Sequence, residues 1–190
     1  MTSRPPHDGA GMTVHESAYE QLLHWTPSSP QQDLLRREFL QCLATHENGC
    51  LRSGRPDHLT ASALVMNADR SQVLLCLHRK VGLWLQFGGH IESDDQTLAD
   101  AALREAREES GISALTLLDA SPARVDRHSA PCGGGARYHL DVQFVAVAPT
   151  GAQPVASAES LDVAWFDPDA LPDETDEAVR ALVNEALRQP

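Results

Sequence analysis

The sequence predicts a fold that mixes α-helices with β-strands. Apolar residues recur at helical spacing over residues 97 to 110 and again over 175 to 189. Between these segments, residues 137 to 148 alternate apolar and polar side chains, which is typical of a strand in a half-buried sheet. Strand patterns interrupted by helical ones indicate the α/β (α+β) class with a mixed β-sheet.

The N-terminal quarter has a helical rather than a strand pattern. Residues 1 to 12 are rich in Pro, Gly and polar residues, and we predict a disordered tail there. A short helix is expected near residues 19 to 25 and a longer one over 31 to 46. Residues 13 to 57 are therefore predicted to form a helical extension that packs on the core or on a dimer partner, so a homodimer is one option.

Strand patterns begin at His58, where the main domain, spanning residues 58 to 190, is expected to start. Residues 58 to 66 and 72 to 78 flank a turn signal and predict a hairpin. Residues 83 to 87 predict a short strand that leads into a glycine loop. Further strands are expected at residues 114 to 118, 124 to 126 and 161 to 166.

One face of the strand at residues 137 to 148 is polar along half its length. His139, Asp141 and Gln143 share this face, before Val145 and Val147 make it apolar. The two explanations are exposure to solvent and the wall of a substrate cleft.

Composition excludes several classes of protein. The chain has 190 residues, 42% of them hydrophobic, and a formal net charge of −12. This charge argues against a nucleic-acid polymer as the main partner, because phosphate backbones are bound by clustered Lys and Arg. No segment has the length of a membrane span or the pattern of a signal peptide, so we expect a cytoplasmic protein that does not bind membranes.

Three acidic residues crowd the C-terminal end of the helix predicted at residues 97 to 110. Glu105, Glu108 and Glu109 stand at i, i+3 and i+4, so they share one side of the helix and repel one another. The negative end of the helix dipole adds a further cost. A solvated acidic surface is one interpretation; the other is a site for a hard divalent cation such as Mg²⁺ or Mn²⁺, which prefers oxygen ligands.

Two preceding glycines favour the cation site. Gly88 and Gly89 lead from a strand toward the helix, and residues without a Cβ let backbone groups approach an ion or a phosphate. Together with Arg104-Glu105, Glu108-Glu109 and Gly111-Ile112, Gly89 forms a pattern that resembles the Nudix box. This resemblance covers about residues 58 to 167 and implies an α/β/α sandwich.

The first half of the box departs from the family pattern by one residue. Counting forward from Gly89 puts Asp95 where the family has its first Glu, whereas counting back from Arg104 puts Gln96 there. We interpret this as one extra residue in the loop before the helix. Asp95 is the favoured acid because Gln cannot ionise.

The resemblance implies a hydrolase that cleaves the diphosphate linkage of a nucleoside diphosphate derivative. The metal ligands would be Glu105, Glu108, Glu109 and the carbonyl of Gly89, with Mg²⁺ or Mn²⁺ as cofactor. Glu105 is the candidate general base and Glu109 the alternative, while Arg104 is expected to orient the carboxylates. Substrate contacts are expected from four further residues: His90, Asp95, His139 and Asp141.

Two other functions are compatible with the resemblance. A nucleotide-binding sensor without hydrolytic activity remains open because of the shifted first half of the box. An isomerase of isoprenoid diphosphates would share the fold, but its family needs a Cys in a specific motif. None of the four cysteines in this chain has such a setting.

Overall fold

A computed structural model of the chain describes residues 12–52, 57–132 and 136–189. The predicted disordered tail lies outside these residues except for Met12. In chain order the helices are α1 (Val14–His24), α2 (Pro30–Thr45), α3 (Leu98–Ser110) and α4 (Glu177–Ala186). The strands are β1 (Asp57–Met66), β2 (Val73–His78), β3 (Trp84–Leu85), β4 (Phe87–His90), β5 (Thr116–Leu117), β6 (Arg124–Cys132), β7 (Ala136–Val147) and β8 (Ser160–Phe166).

All eight strands of the described residues belong to one mixed sheet, as the sequence predicts. β1 lies at its centre and pairs in parallel with β7, whereas the other pairs are antiparallel. The middle of β1, from Thr60 to Ala63, pairs with β4, and its last two residues pair with β2. Since β4 and β2 pair with the same edge of β1 and β7 pairs with its other edge, the sheet curls.

Helices cover both faces of the sheet, which gives the predicted α/β/α sandwich. On one face, alternate residues of β1 such as Ala61 and Ala63 pack with apolar residues of α1, α2 and α3. On the other face, Leu64 and Met66 pack with α4. Alternate side chains of a strand point to opposite faces, so a strand between two helical layers is apolar on both.

The N-terminal helices pack on the sheet. Ala18, Leu22, Phe39 and Leu43 are buried in the same core as α3. At the edge strand β6, the side-chain amide of Gln32 donates to the carbonyl of Val125 at 2.9 Å and accepts from its N–H at 2.7 Å. The division of the chain into an extension and a catalytic domain stays a prediction.

The segment before α3 differs from the prediction. A single strand followed by a glycine loop was expected, but the structure has two short strands, and both glycines lie inside the second one, β4. Gly88 pairs with Ser62 and Gly89 with Ala61. Both glycines lie where β4 passes close to a neighbouring element. A Cβ at Gly88 would collide with β1, and a Cβ at Gly89 would meet a side chain of α3.

Candidate active site

Helix α3 carries the predicted acidic residues, and capping residues define both of its ends. The N–H of Asp100 donates to Oγ1 of Thr97, the N-cap, at 3.0 Å. Gly111 ends the helix with φ 71°, a left-handed conformation that glycine adopts without strain. The helix predicted over residues 97 to 110 is confirmed, and it holds the acidic residues rigidly against the sheet.

The three glutamates of α3 differ in exposure although they share one side of the helix. Glu109 is 8% exposed, and its Oε2 accepts from the N–H of Gly88 at 3.0 Å. The side chain of Glu105 is 17% exposed, while that of Glu108 is 62% exposed. The cluster therefore extends from the strand β4 out to the surface.

Gly88 and Gly89 make this close approach of helix and strand possible. A Cβ at Gly89 would lie 2.7 Å from Oε1 of Glu105, nearer than Cβ atoms come to other groups. A Cβ at Gly88 would lie 2.3 Å from the Cβ of Ser62 on β1. The absence of a Cβ thus serves a different contact at each position: with the Glu105 carboxylate at Gly89, and with the neighbouring strand β1 at Gly88.

Arg104 ties the loop before α3 to the carboxylates. Its Nε and Nη2 donate to the two oxygens of Asp95, at 3.1 and 3.0 Å. Nη2 also donates to the carbonyl of His90, and Nη1 donates to Oε1 of Glu105 at 3.0 Å. Glu108 lies 3.6 Å from the same nitrogen. The guanidinium therefore orients Glu105 and fixes the strand end beside Gly89.

The structure places Asp95, and not Gln96, against Arg104. Asp95 is 8% exposed and also accepts from the N–H of Glu92 at 2.8 Å. Gln96 is exposed, and its side chain reaches only the carbonyl of Asp94. The extra residue is thus accommodated between the buried acid and the N-cap. Asp95 accepts from Arg104 on α3 through both of its oxygens, and its expected contact with substrate stays a prediction.

Replacing Asp95 with Asn is expected to destabilise the protein, whereas Gln96→Ala is not. The first change removes the charge that compensates Arg104 in a largely buried ion pair, at a cost of about 2 kcal/mol. Thermal unfolding measures both variants, and a drop of roughly 4–8 °C for Asp95→Asn is expected. An equal drop in the unfolding temperature of Gln96→Ala would show that Gln96 stabilises the loop as much as Asp95 does.

Burial raises the pKa values of the inner carboxyl groups. Burial, with a smaller contribution from the nearby charges of Glu105, Glu159 and Glu108, raises the pKa of Glu109 to about 7, although the hydrogen bond from Gly88 acts in the opposite direction. Desolvation likewise raises the pKa of Glu105. Crowded carboxylates that resist ionisation indicate a negative potential that a bound cation would relieve.

Asp141 and Gln143, on the polar half-face predicted for β7, are buried, whereas His139 on the same face is half-buried. Asp141 is 2% exposed, and its carboxylate accepts from three buried side chains: Thr60 at 2.9 Å, Ser62 at 2.6 Å and Gln143 at 3.0 Å. Asp141 was expected to contact substrate. Its hydrogen bonds join β1 to β7 and stabilise a buried charge.

Three histidines meet at the end of this polar layer. His58 pairs with His139 across β1 and β7, and His90 on β4 stacks against His58 with ring centroids 5.1 Å apart. Burial lowers the pKa of His90 to about 4 and that of His139 to about 3, with a further contribution from neighbouring histidines. The imidazoles of His90 and His139 are therefore neutral at pH 7.

Sequence reasoning named His90 and His139 but gave His58 no role beyond opening a strand. The available signal was alternation: His58, Thr60 and Ser62 occupy one face of a strand whose other residues from Leu59 onward are apolar. Polar residues at every second position of a buried strand indicate a polar layer on that face.

Comparison with known proteins adds the family. Residues 56–186 match the family model described as the NUDIX domain. No curated protein matches the chain at a significant level. Within the described residues, no helix has the length and apolar character needed to cross a membrane.

Solved structures with the same fold are numerous. A NUDIX-family hydrolase from Clostridium perfringens is 25% identical, with a TM-score of 0.58 over 68% of this chain and 95% of that one. The dihydroneopterin triphosphate pyrophosphohydrolase of E. coli is 24% identical, with a TM-score of 0.57 over 69% and 94%. An Ap4A hydrolase from C. elegans is 17% identical, with a TM-score of 0.57 over 68% and 94%.

Proposed function

Because this chain belongs to the Nudix domain family, we propose that it is a pyrophosphohydrolase that cleaves the diphosphate linkage of a nucleoside diphosphate derivative. The observation that carries the proposal is the packing of Glu105 and Glu109 against the glycine strand, with Arg104 bonded to both Glu105 and the loop. A small phosphorylated substrate is compatible with the acidic chain because a cation can supply the positive charge. A cytoplasmic location and a homodimer remain predictions.

The donor set fits a hard divalent cation. Glu105, Glu108 and Glu109 offer carboxylate oxygens, and Gly89 adjoins Glu105 without an intervening side chain, so we assign its carbonyl as the fourth protein ligand. Oxygen ligands suit Mg²⁺ or Mn²⁺. When bound, such an ion supplies charge neutralisation for a diphosphate and acidifies the attacking water.

We assign the other catalytic roles to residues of α3 and of the loop before it. Arg104 holds the Glu105 carboxylate in one orientation and is itself held by Asp95, so we assign both as positioning residues. Glu105 remains our candidate for the group that accepts the proton of the attacking water, with Glu109 as the alternative. A positioned base of this kind contributes roughly 10²–10⁴-fold to a rate.

The substrate is best identified by a hydrolysis screen. The similar structures are named for dihydroneopterin triphosphate and Ap4A, so both compounds belong in the panel. Nucleoside triphosphates, ADP-ribose, nucleotide sugars and NADH complete it. Each compound is assayed with Mg²⁺, with Mn²⁺ and with a chelator, and product phosphates are quantified.

Glu108→Gln is expected to lower kcat/KM by roughly 100-fold or more, because it removes one charged ligand from the cation site. The side chain is 62% exposed, so the fold and the thermal stability should be preserved. Glu47→Gln, at an exposed turn outside α3, is the matched control and should retain full activity.

Two results would contradict the proposal. Turnover near the wild-type level in Glu108→Gln and Glu109→Gln would show that the cluster is not the catalytic centre. Tight nucleotide binding by calorimetry with no cleavage of any compound in either metal would favour the sensor function.

A further inference from the structure

A second group of side chains with metal-ligand chemistry lies apart from the carboxylates. One ring nitrogen from each of His58, His90 and His139 lies within 4.8 Å of the others. The three residues come from β1, β4 and β7, so the central pairings of the sheet fix their positions. They are brought together by topology and not by proximity in sequence.

The histidines and the carboxylates occupy opposite faces of the sheet. His90 pairs with Thr60, and Gly89 pairs with Ala61, whose side chain lies in the core beneath α3. Because successive residues of a strand point to opposite faces, His90 points away from the side on which Gly89 meets Glu105. The two sites therefore share the strand β4 but not their ligands.

The ring nitrogens of the three histidines are close together, though farther apart than the ligands of one bound ion. Nitrogen ligands of tetrahedral zinc lie about 2.0–2.1 Å from the metal, and hence about 3.4 Å from one another. The observed separations are 4.8 Å or less, so binding an ion requires the half-buried side chains of His90 and His139 to rotate toward one another. Both ring contacts of His58 are already about 5 Å between centroids.

The protonation state also suits coordination. Burial lowers the pKa of His139 to about 3, so its imidazole is neutral at pH 7, the form that binds metals. Protonated imidazoles this close together would repel, whereas neutral ones share a cation. Three imidazoles also leave a fourth position open for water or a phosphate oxygen.

We propose that His58, His90 and His139 bind a divalent transition metal of the zinc class, at a site distinct from the magnesium site on α3. Imidazole ligands favour Zn²⁺, Ni²⁺ and Cu²⁺, whereas Mg²⁺ prefers oxygen. The two sites thus select different ions from one solution, and an excess of Mg²⁺ does not displace the transition metal.

The test is a zinc titration of tag-free, chelator-stripped protein in saturating Mg²⁺. Wild-type protein is expected to bind one equivalent of Zn²⁺ by calorimetry, and Co²⁺ is expected to give the intense visible bands of a tetrahedral nitrogen-ligated site. His139→Asn and His90→Asn should each weaken Zn²⁺ binding by roughly 100-fold or more. These two residues are chosen because His58 is fully buried and its replacement risks the fold.

Two control variants distinguish Zn²⁺ binding at the three histidines from Zn²⁺ binding to an exposed histidine or to the carboxylates of α3. His24→Asn, with a 75% exposed side chain on α1, should bind Zn²⁺ like the wild type. Glu108→Gln should lose hydrolysis but keep the zinc site, so failure of one proposal is distinguishable from failure of the other. Absence of stoichiometric Zn²⁺ binding in the wild type, or binding lost in Glu108→Gln but retained in His139→Asn, overturns the inference.

Discussion

Replacing Glu109 with Gln is expected to abolish hydrolysis and, at pH 8, to make the metal-free protein more stable. Glu109 is nearly fully buried beside two other carboxylates, so its charge is costly when no cation is present. The glutamine keeps an oxygen that accepts from Gly88 but carries no charge. We expect a gain of about 1–3 kcal/mol in the free energy of unfolding, together with a loss of roughly 100-fold or more in kcat/KM.

The pH dependence of this gain follows from the raised pKa. Burial raises the pKa of Glu109 from 4.5 to about 7, so between these pH values the folded state binds more protons than the unfolded state. The contribution of Glu109 to stability therefore falls as pH rises through this window and is constant above it. Below pH 4.5 the carboxyl is protonated in both states, and the advantage of the variant disappears.

Urea unfolding of both proteins in chelator at pH 4, 6 and 8 measures this difference directly. The variant should gain most at pH 8 and little at pH 4. Added Mg²⁺ should stabilise the wild type more than the variant, because only the wild type retains the full set of ligands. Equal stability of the two metal-free proteins at pH 8 would contradict the assigned cost of the buried charge.

The two glycines of β4 are expected to respond in opposite ways to alanine. In Gly88→Ala, the new Cβ would lie 2.3 Å from the Cβ and 2.7 Å from the Cα of Ser62. Backbone atoms of a paired strand move only if the pairing breaks, so we expect a loss of about 3 kcal/mol or more in stability. In Gly89→Ala, the three atoms nearest to the new Cβ all belong to the carboxylate end of Glu105, which can move aside.

Gly89→Ala should therefore cost less than about 1 kcal/mol in stability. Displacing Glu105 disrupts the cation site, and we expect kcat/KM to fall by roughly 100-fold. Thermal unfolding and hydrolysis, measured on both variants, separate these effects, and each variant is the control for the other. Full activity in Gly89→Ala would show that Glu105 need not occupy its observed position.

Local signals in the sequence were sufficient for α3. The capping pair at Thr97 and the left-handed Gly111 act within a few residues, so they do not depend on the rest of the fold. The identity of the clustered acids also follows from spacing alone. Their unequal burial does not, because it depends on how closely β4 approaches the helix.

The polar layer and the histidine group depend on strand pairing, which the sequence does not specify locally. His58 and His139 are 81 residues apart and meet because β1 and β7 pair in parallel with this register. The same holds for Asp141, whose pattern predicted a polar face but whose partners on β1 bury it. The glycine pair was assigned to a loop because the close contact with Ser62 arises only once the sheet has formed.

The bond between Gln32 and Val125 has a consequence for solubility. Among the described residues, β6 pairs only with β7, so its outer side is an open sheet edge to which another chain can add. A carboxamide that both donates to and accepts from the backbone of Val125 occupies the place of an incoming strand. Helix α2 therefore hinders edge-to-edge aggregation by covering this part of β6. The N-terminal helices thus have a role that is independent of catalysis.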